Sequence, residues 1–104
     1  QLRIAALLGT NSTCTNPATC PTAINSPIDG RLNWHYSMGH WVEDDPETGD
    51  GSFSSAGVFG FYPWINASKT LYGIVARLSV AGGGEASALC GARLRKAWKT
   101  GVAQ

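Results

Sequence analysis

Long apolar runs are missing from this sequence: stretches such as residues 5–8 are a fraction of the roughly 20 residues that a membrane-spanning helix needs, so no membrane span is expected. Charge is scarce as well. Only 14% of the residues are charged and the net charge is +1, which leaves no basic field for a nucleic acid or an anionic membrane. The opening Gln1-Leu2-Arg3 has no initiator Met and no charged segment followed by an apolar stretch. No targeting signal is readable, and the chain looks processed, truncated or excised. Catalytic motifs are absent too: no serine is followed three positions later by lysine, and none of Tyr36, Tyr62 or Tyr72 has asparagine two positions on. There is no Gly-x-Ser-x-Gly, phosphate loop or paired zinc-ligand motif, so no cofactor and no metal site are expected.

The cysteines number three, an odd count. Cys14 and Cys20 bracket a short Thr/Asn/Pro loop and are expected to form a local disulfide; Cys90, far away in a helical pattern, is expected to be a buried thiol. Such a bridge implies an oxidising compartment, secreted or periplasmic, whereas three reduced thiols would imply the cytosol. Asn11-Ser12-Thr13 and Asn66-Ala67-Ser68 match the N-glycosylation pattern, which is short enough to arise by chance.

At this length one domain fits, burying only about 65% of the surface its unfolded chain exposes. Residues 1–30 divide from residues 31–104 by composition. Residues 1–9 read as the end of an apolar element whose spacing suits a helix, with Gly9 as a C-cap, and residues 10–30 form a long surface loop in which Pro17, Pro21 and Pro27 exclude a long helix or central strand. From residue 31 to 43 alternation puts Leu32, Trp34, Tyr36, Met38 and Val42 on one side and Asn33, His35, Ser37, Gly39 and Glu43 on the other, as in a half-buried strand. The acidic stretch of residues 44–51 makes the exposed link of a hairpin. A second strand covers about 53–65, with Gly57 and Gly60 as places of close approach, and a third covers 70–80, with both faces largely covered. Residues 85–100 place Ala86, Leu89, Cys90, Leu94, Ala97 and Trp98 at helical spacing, with Glu85 at the positive end and basic residues at the negative end. The fold class is therefore α+β: an antiparallel meander of about three strands with a C-terminal helix packed on one face.

Three segments together resemble a known family. Residues 36–43 (Tyr-Ser-Met-Gly-His-Trp-Val-Glu), 55–65 (Ser-Ala-Gly-Val-Phe-Gly-Phe-Tyr-Pro-Trp-Ile) and 71–75 (Leu-Tyr-Gly-Ile-Val) look like the last three sheet strands of class C β-lactamase-like hydrolases and esterases. The resemblance spans about residues 31–101. It implies part of a β-lactamase/penicillin-binding fold and hydrolysis of a small-molecule ester, amide or β-lactam through an acyl-serine intermediate. The nucleophile would come from a segment outside this chain, so the expected partner is the N-terminal part of the same enzyme or a second copy.

By alignment of the strands, Ser55-Ala56-Gly57 takes the place of the family's Lys-Thr-Gly triplet. Ser55 would bond a substrate carbonyl or carboxylate, Gly57 would let substrate lie against the strand, and the Val58 N–H would face a developing oxyanion. Small residues admitting another packed element explain the same positions without catalysis. The literal Lys99-Thr100-Gly101 falls at the end of a helix, where basic residues and a capping glycine are ordinary. His35 and His40 differ by an odd number, so a regular strand sends them to opposite faces, wrong for a shared metal or catalytic pair. Residues 44–50 lack the helix-loop-helix spacing of a calcium loop. Trp34, Trp41, Trp64 and Trp98 are core residues by default, with an aromatic binding platform as the competing reading. Against the hydrolase stands a non-catalytic secreted binding or interaction module that dimerises through the open sheet face.

Overall fold

In the computed structural model, residues 2–26, 28 and 32–104 are described. Pro27, Gly30 and Arg31, to which the loop and first-strand expectations extend, lie outside the described residues, as do Gln1 and the side chain of Leu2. The elements are α1 (Leu2–Leu7), β1 (Thr13–Cys14), β2 (His35–Ser37), β3 (His40–Glu43), β4 (Ser52–Ser54), β5 (Tyr62–Ile65), β6 (Tyr72–Val75) and α2 (Gly84–Thr100). The strands form one six-stranded antiparallel sheet in sequence order.

This overturns the expected three-strand meander. The first two of the expected strands each contain a reversal that the sequence pattern conceals. The first turns at Met38-Gly39, both at positive φ (31° and 84°), the signature of a two-residue hairpin. His35 then pairs with Val42, Tyr36 with Trp41 and Ser37 with His40. Directly opposed residues share a face, so Trp41 joins Tyr36, whereas Val42 lies with His35 instead of with Trp34 as the unbroken strand required. The second run is interrupted after Ser54: the Gly57 N–H donates to Phe61 O at 2.8 Å and the Gly60 N–H to Gly57 O at 2.9 Å, making a turn before β5. The third run is a strand only over Tyr72–Val75. The loop of residues 10–30 supplies the remaining strand, β1, which pairs with β2 at the sheet edge.

The chain forms two compact units, residues 1–55 with 64–72 and residues 56–63 with 73–104. In the first, the core holds Cys20, Ile28, Leu32, Trp34, Trp41 and Val42. Trp41 meets Tyr36 edge-on at 4.8 Å and lies 6.3 Å from Trp34. Gly9, at φ 77°, follows α1 and donates its N–H to His40 Nε2 at 3.0 Å. The acidic link between β3 and β4 is exposed over most of its length, with Asp50 and Gly51 half-buried, but Asp45 is buried and gathers donors. Its Oδ1 accepts the Glu47 and Thr48 amides, both at 2.9 Å, and the Thr48 hydroxyl at 3.1 Å, while Oδ2 accepts the Asn33 amide at 3.0 Å. Gly49 passes so near that a Cβ there would lie 2.5 Å from Asp45 N.

In the second unit, α2 begins after Gly83 (φ 146°), carries Glu85 in its first turn and ends at Gly101, whose left-handed conformation returns its N–H to Ala97 O at 2.8 Å. Its limits match the expected ones; its orientation does not. The buried residues are Ser87, Ala88, Gly91 and Arg95, whereas Leu89, Leu94 and Trp98 are exposed, Trp98 by 77%. The cause is fit to Tyr62, a fully buried residue of β5. A Cβ at Gly91 would overlap the Tyr62 ring, and Arg95 Nη1 donates to Tyr62 Oη at 2.6 Å. Close backbone approach and one buried polar pair thus take the inner face. Cys90, expected to be buried, is exposed for the same reason. The expected cover on both faces of the third run is also missing: Tyr72, Ile74, Leu78 and Val80 are exposed.

Burial pushes the Asp45 carboxyl up, but its hydrogen bonds from Asn33, Thr48 and Glu47 outweigh burial and hold it below the ordinary value of 3.8. A carboxylate whose folded pKa is depressed stabilises fully above its unfolded pKa and loses that contribution as pH falls through the folded one. Asp45→Asn is therefore expected to cost about 2 kcal/mol at neutral pH, with the difference shrinking in strong acid. Urea denaturation of both proteins across that range checks it; a difference that stays constant with pH contradicts the role given to the charge.

Candidate functional site

The stretch expected to hold substrate begins where β4 ends. Ser55 is exposed and belongs to the first unit; Gly57 and Val58 belong to the second, in the turn that precedes β5. Val58 stands at the apex of that turn, 69% exposed beside the exposed Phe59. Gly57 is not a strand residue open to a ligand. Its N–H is bonded to Phe61 O, a Cβ would lie 3.0 Å from that oxygen, and its own carbonyl is so close to α2 that a Cβ at Gly84 would sit 2.6 Å away. Close packing accounts for this glycine.

The histidines have separate partners. His40 accepts the Gly9 N–H and lies edge-on to Phe53 at 5.7 Å. His35 Nδ1 is 2.9 Å from the Asp44 carboxylate, whose Oδ1 also accepts the His35 N–H at 3.2 Å. This pair stands at the rim of an open cleft of about 330 Å³ in the first unit, whose lining includes Thr19, Asn33 and Trp34. A carboxylate on Nδ1 fixes the imidazole's orientation and leaves Nε2 as its second polar atom. No group of three or more His, Cys, Asp or Glu side chains among the described residues could hold a metal ion. The pairing of His35 with Asp44 was hidden in the sequence because it depends on the Met38-Gly39 reversal, which brings the end of β3 back beside the start of β2.

Lys99-Thr100-Gly101 closes α2, with Gly101 as its C-cap. Trp34 and Trp41 are core residues, Trp64 is half-buried, and Trp98 stands out in solvent. Comparison with known protein families, with curated proteins and with solved structures finds no match for this chain.

The expected disulfide is present: Cys14 and Cys20 are bonded, with their Cα atoms 5.8 Å apart. It closes a loop held internally by Asn16, whose carbonyl accepts the Thr19 and Cys20 amides at 3.1 and 2.8 Å and whose Oδ1 accepts the Ala18 amide at 2.9 Å. Among the described residues no helix is long and apolar enough to cross a membrane. The bridge is compatible with a secreted protein. Closing so short a loop contributes about 2 kcal/mol by restricting the unfolded chain. The Cys14→Ser/Cys20→Ser double variant is expected to lose that amount in urea denaturation. Reduction should raise the intact mass of the unmodified protein by two hydrogens, and thiol labelling should rise from one site, Cys90, before reduction to three after it.

Proposed function

We propose that this chain is the C-terminal sheet-and-helix part of a serine hydrolase of the β-lactamase/penicillin-binding fold, acting on an ester, amide or β-lactam, with the nucleophile supplied by a segment outside this chain. The observation that carries the reading is the antiparallel strand order β3-β4-β5-β6 followed by α2, all within the span of about residues 31–101 that the resemblance covers. In the reaction the serine Oγ of the other segment bonds the substrate carbonyl carbon, the bond to the leaving alcohol or amine breaks, and water then cleaves the acyl-serine. Ser55, exposed just past the end of β4, is assigned to hydrogen-bond the substrate. The exposed Leu94 and Trp98 of α2 suit a fold in which further chain covers that side.

One observation favours a second reading, a non-catalytic secreted module that dimerises through its open sheet face: Tyr72 and Ile74, alternate residues of β6, are both exposed.

Mixing experiments separate the two. The chain alone should leave p-nitrophenyl esters intact, while addition of a separately produced segment encoded upstream and bearing Ser-x-x-Lys should give turnover. Ser55→Ala in the recombined enzyme should lower kcat/KM roughly tenfold, the loss of one hydrogen bond to substrate. Hydrolysis by the chain alone, or none by the recombined pair, overturns the hydrolase. A concentration-dependent dimer in sedimentation that Tyr72→Glu abolishes would support the second reading instead.

A further inference from the structure

We propose that Asn11 is an acceptor for an N-linked glycan and that Asn66, the asparagine of the chain's other Asn-x-Ser/Thr triplet, is not. The two triplets are equivalent as sequence. Their surroundings are opposite.

Asn11 lies in the turn between α1 and β1, exposed and at φ 51°, and its side chain makes no hydrogen bond among the described residues. Ser12 and Thr13 are exposed beside it, so the whole triplet faces solvent. Asn66 is only 8% exposed, and its amide is used up in the link between β5 and β6. Oδ1 accepts the Thr70 and Leu71 amides at 2.9 and 3.0 Å, and Nδ2 donates to Ser68 Oγ at 2.9 Å and Thr70 Oγ1 at 3.1 Å. Glycosylation there would replace an Nδ2 hydrogen, break one of these bonds and force a sugar into a buried site.

Two further features converge on Asn11. The Cys14–Cys20 bridge begins three residues later and belongs to an oxidising compartment, the kind in which lipid-linked oligosaccharide donors act. The segment after Asn11 is β1, the sheet's edge strand, whose two residues are both exposed. A glycan at Asn11 would stand next to that edge and hinder its pairing with another chain. In the transfer itself, Asn11 Nδ2 bonds C1 of an oligosaccharide carried on a lipid diphosphate. The bond from C1 to the phosphate oxygen breaks, the lipid diphosphate leaves, and Nδ2 gives up one proton. Nothing is oxidised or reduced.

The test is secretion of the full chain, behind a cleavable leader, from a eukaryotic host, followed by glycosidase treatment and peptide mapping. One glycan is expected, on the peptide containing Asn11. Asn11→Asp and Thr13→Val should abolish it, whereas Thr13→Ser should keep it, a pattern that follows the acceptor motif and not folding. Asn66→Asp should keep the glycan and lower thermal stability. A secreted wild-type chain bare at Asn11, while a control glycoprotein from the same cells is modified, overturns the proposal, as does a glycan on Asn66 of secreted, disulfide-bonded protein.

Discussion

The arrangement of the first unit depends on one buried carboxylate. Asp45 has four donors around it, three from the turn it sits in and one, the Asn33 amide, from the segment that leads into β2. The turn bonds fix the link between β3 and β4. The Asn33 bond ties that link to the approach to β2, so one side chain holds the tip of the β3–β4 hairpin and the open end of the β2–β3 hairpin. The His35–Asp44 pair and the neighbouring cleft follow from that register, because both lie between the elements that Asp45 joins. A short polar group thus does what a larger apolar core would do in a longer chain.

What could be foreseen from the residues was governed by whether the signal was local. The ends of α2 were legible because Gly83 and Gly101 bracket it and its charges follow the helix dipole. The Cys14–Cys20 bridge was legible from spacing. The face that α2 buries was not, since apolar periodicity marked Leu94 and Trp98 while fit to the Tyr62 ring selected Gly91 and Arg95. Helix packing here is decided by shape and one polar pair, quantities that no periodicity contains. The hairpin at Met38-Gly39 escaped for a different reason: alternating residues continue on both sides of a two-residue reversal, and only the change of face betrays it.

The expected substrate stretch shows the same division. Ser55 is accessible, as its assigned role requires, whereas Gly57 owes its size to Phe61 and Gly84. Glycine in a motif therefore carries two meanings here. One is entry for a ligand; the other is room for the chain itself, and the local distances favour the latter.

Met38, the chain's single methionine, stands exposed at the tip of the first hairpin. An oxidant would meet its thioether before any buried group, and the sulfoxide formed would place its new dipole in water, outside the packed interior. Oxidation of that sulfur would therefore add polarity at a hairpin tip and not within the core, which Met38 does not join.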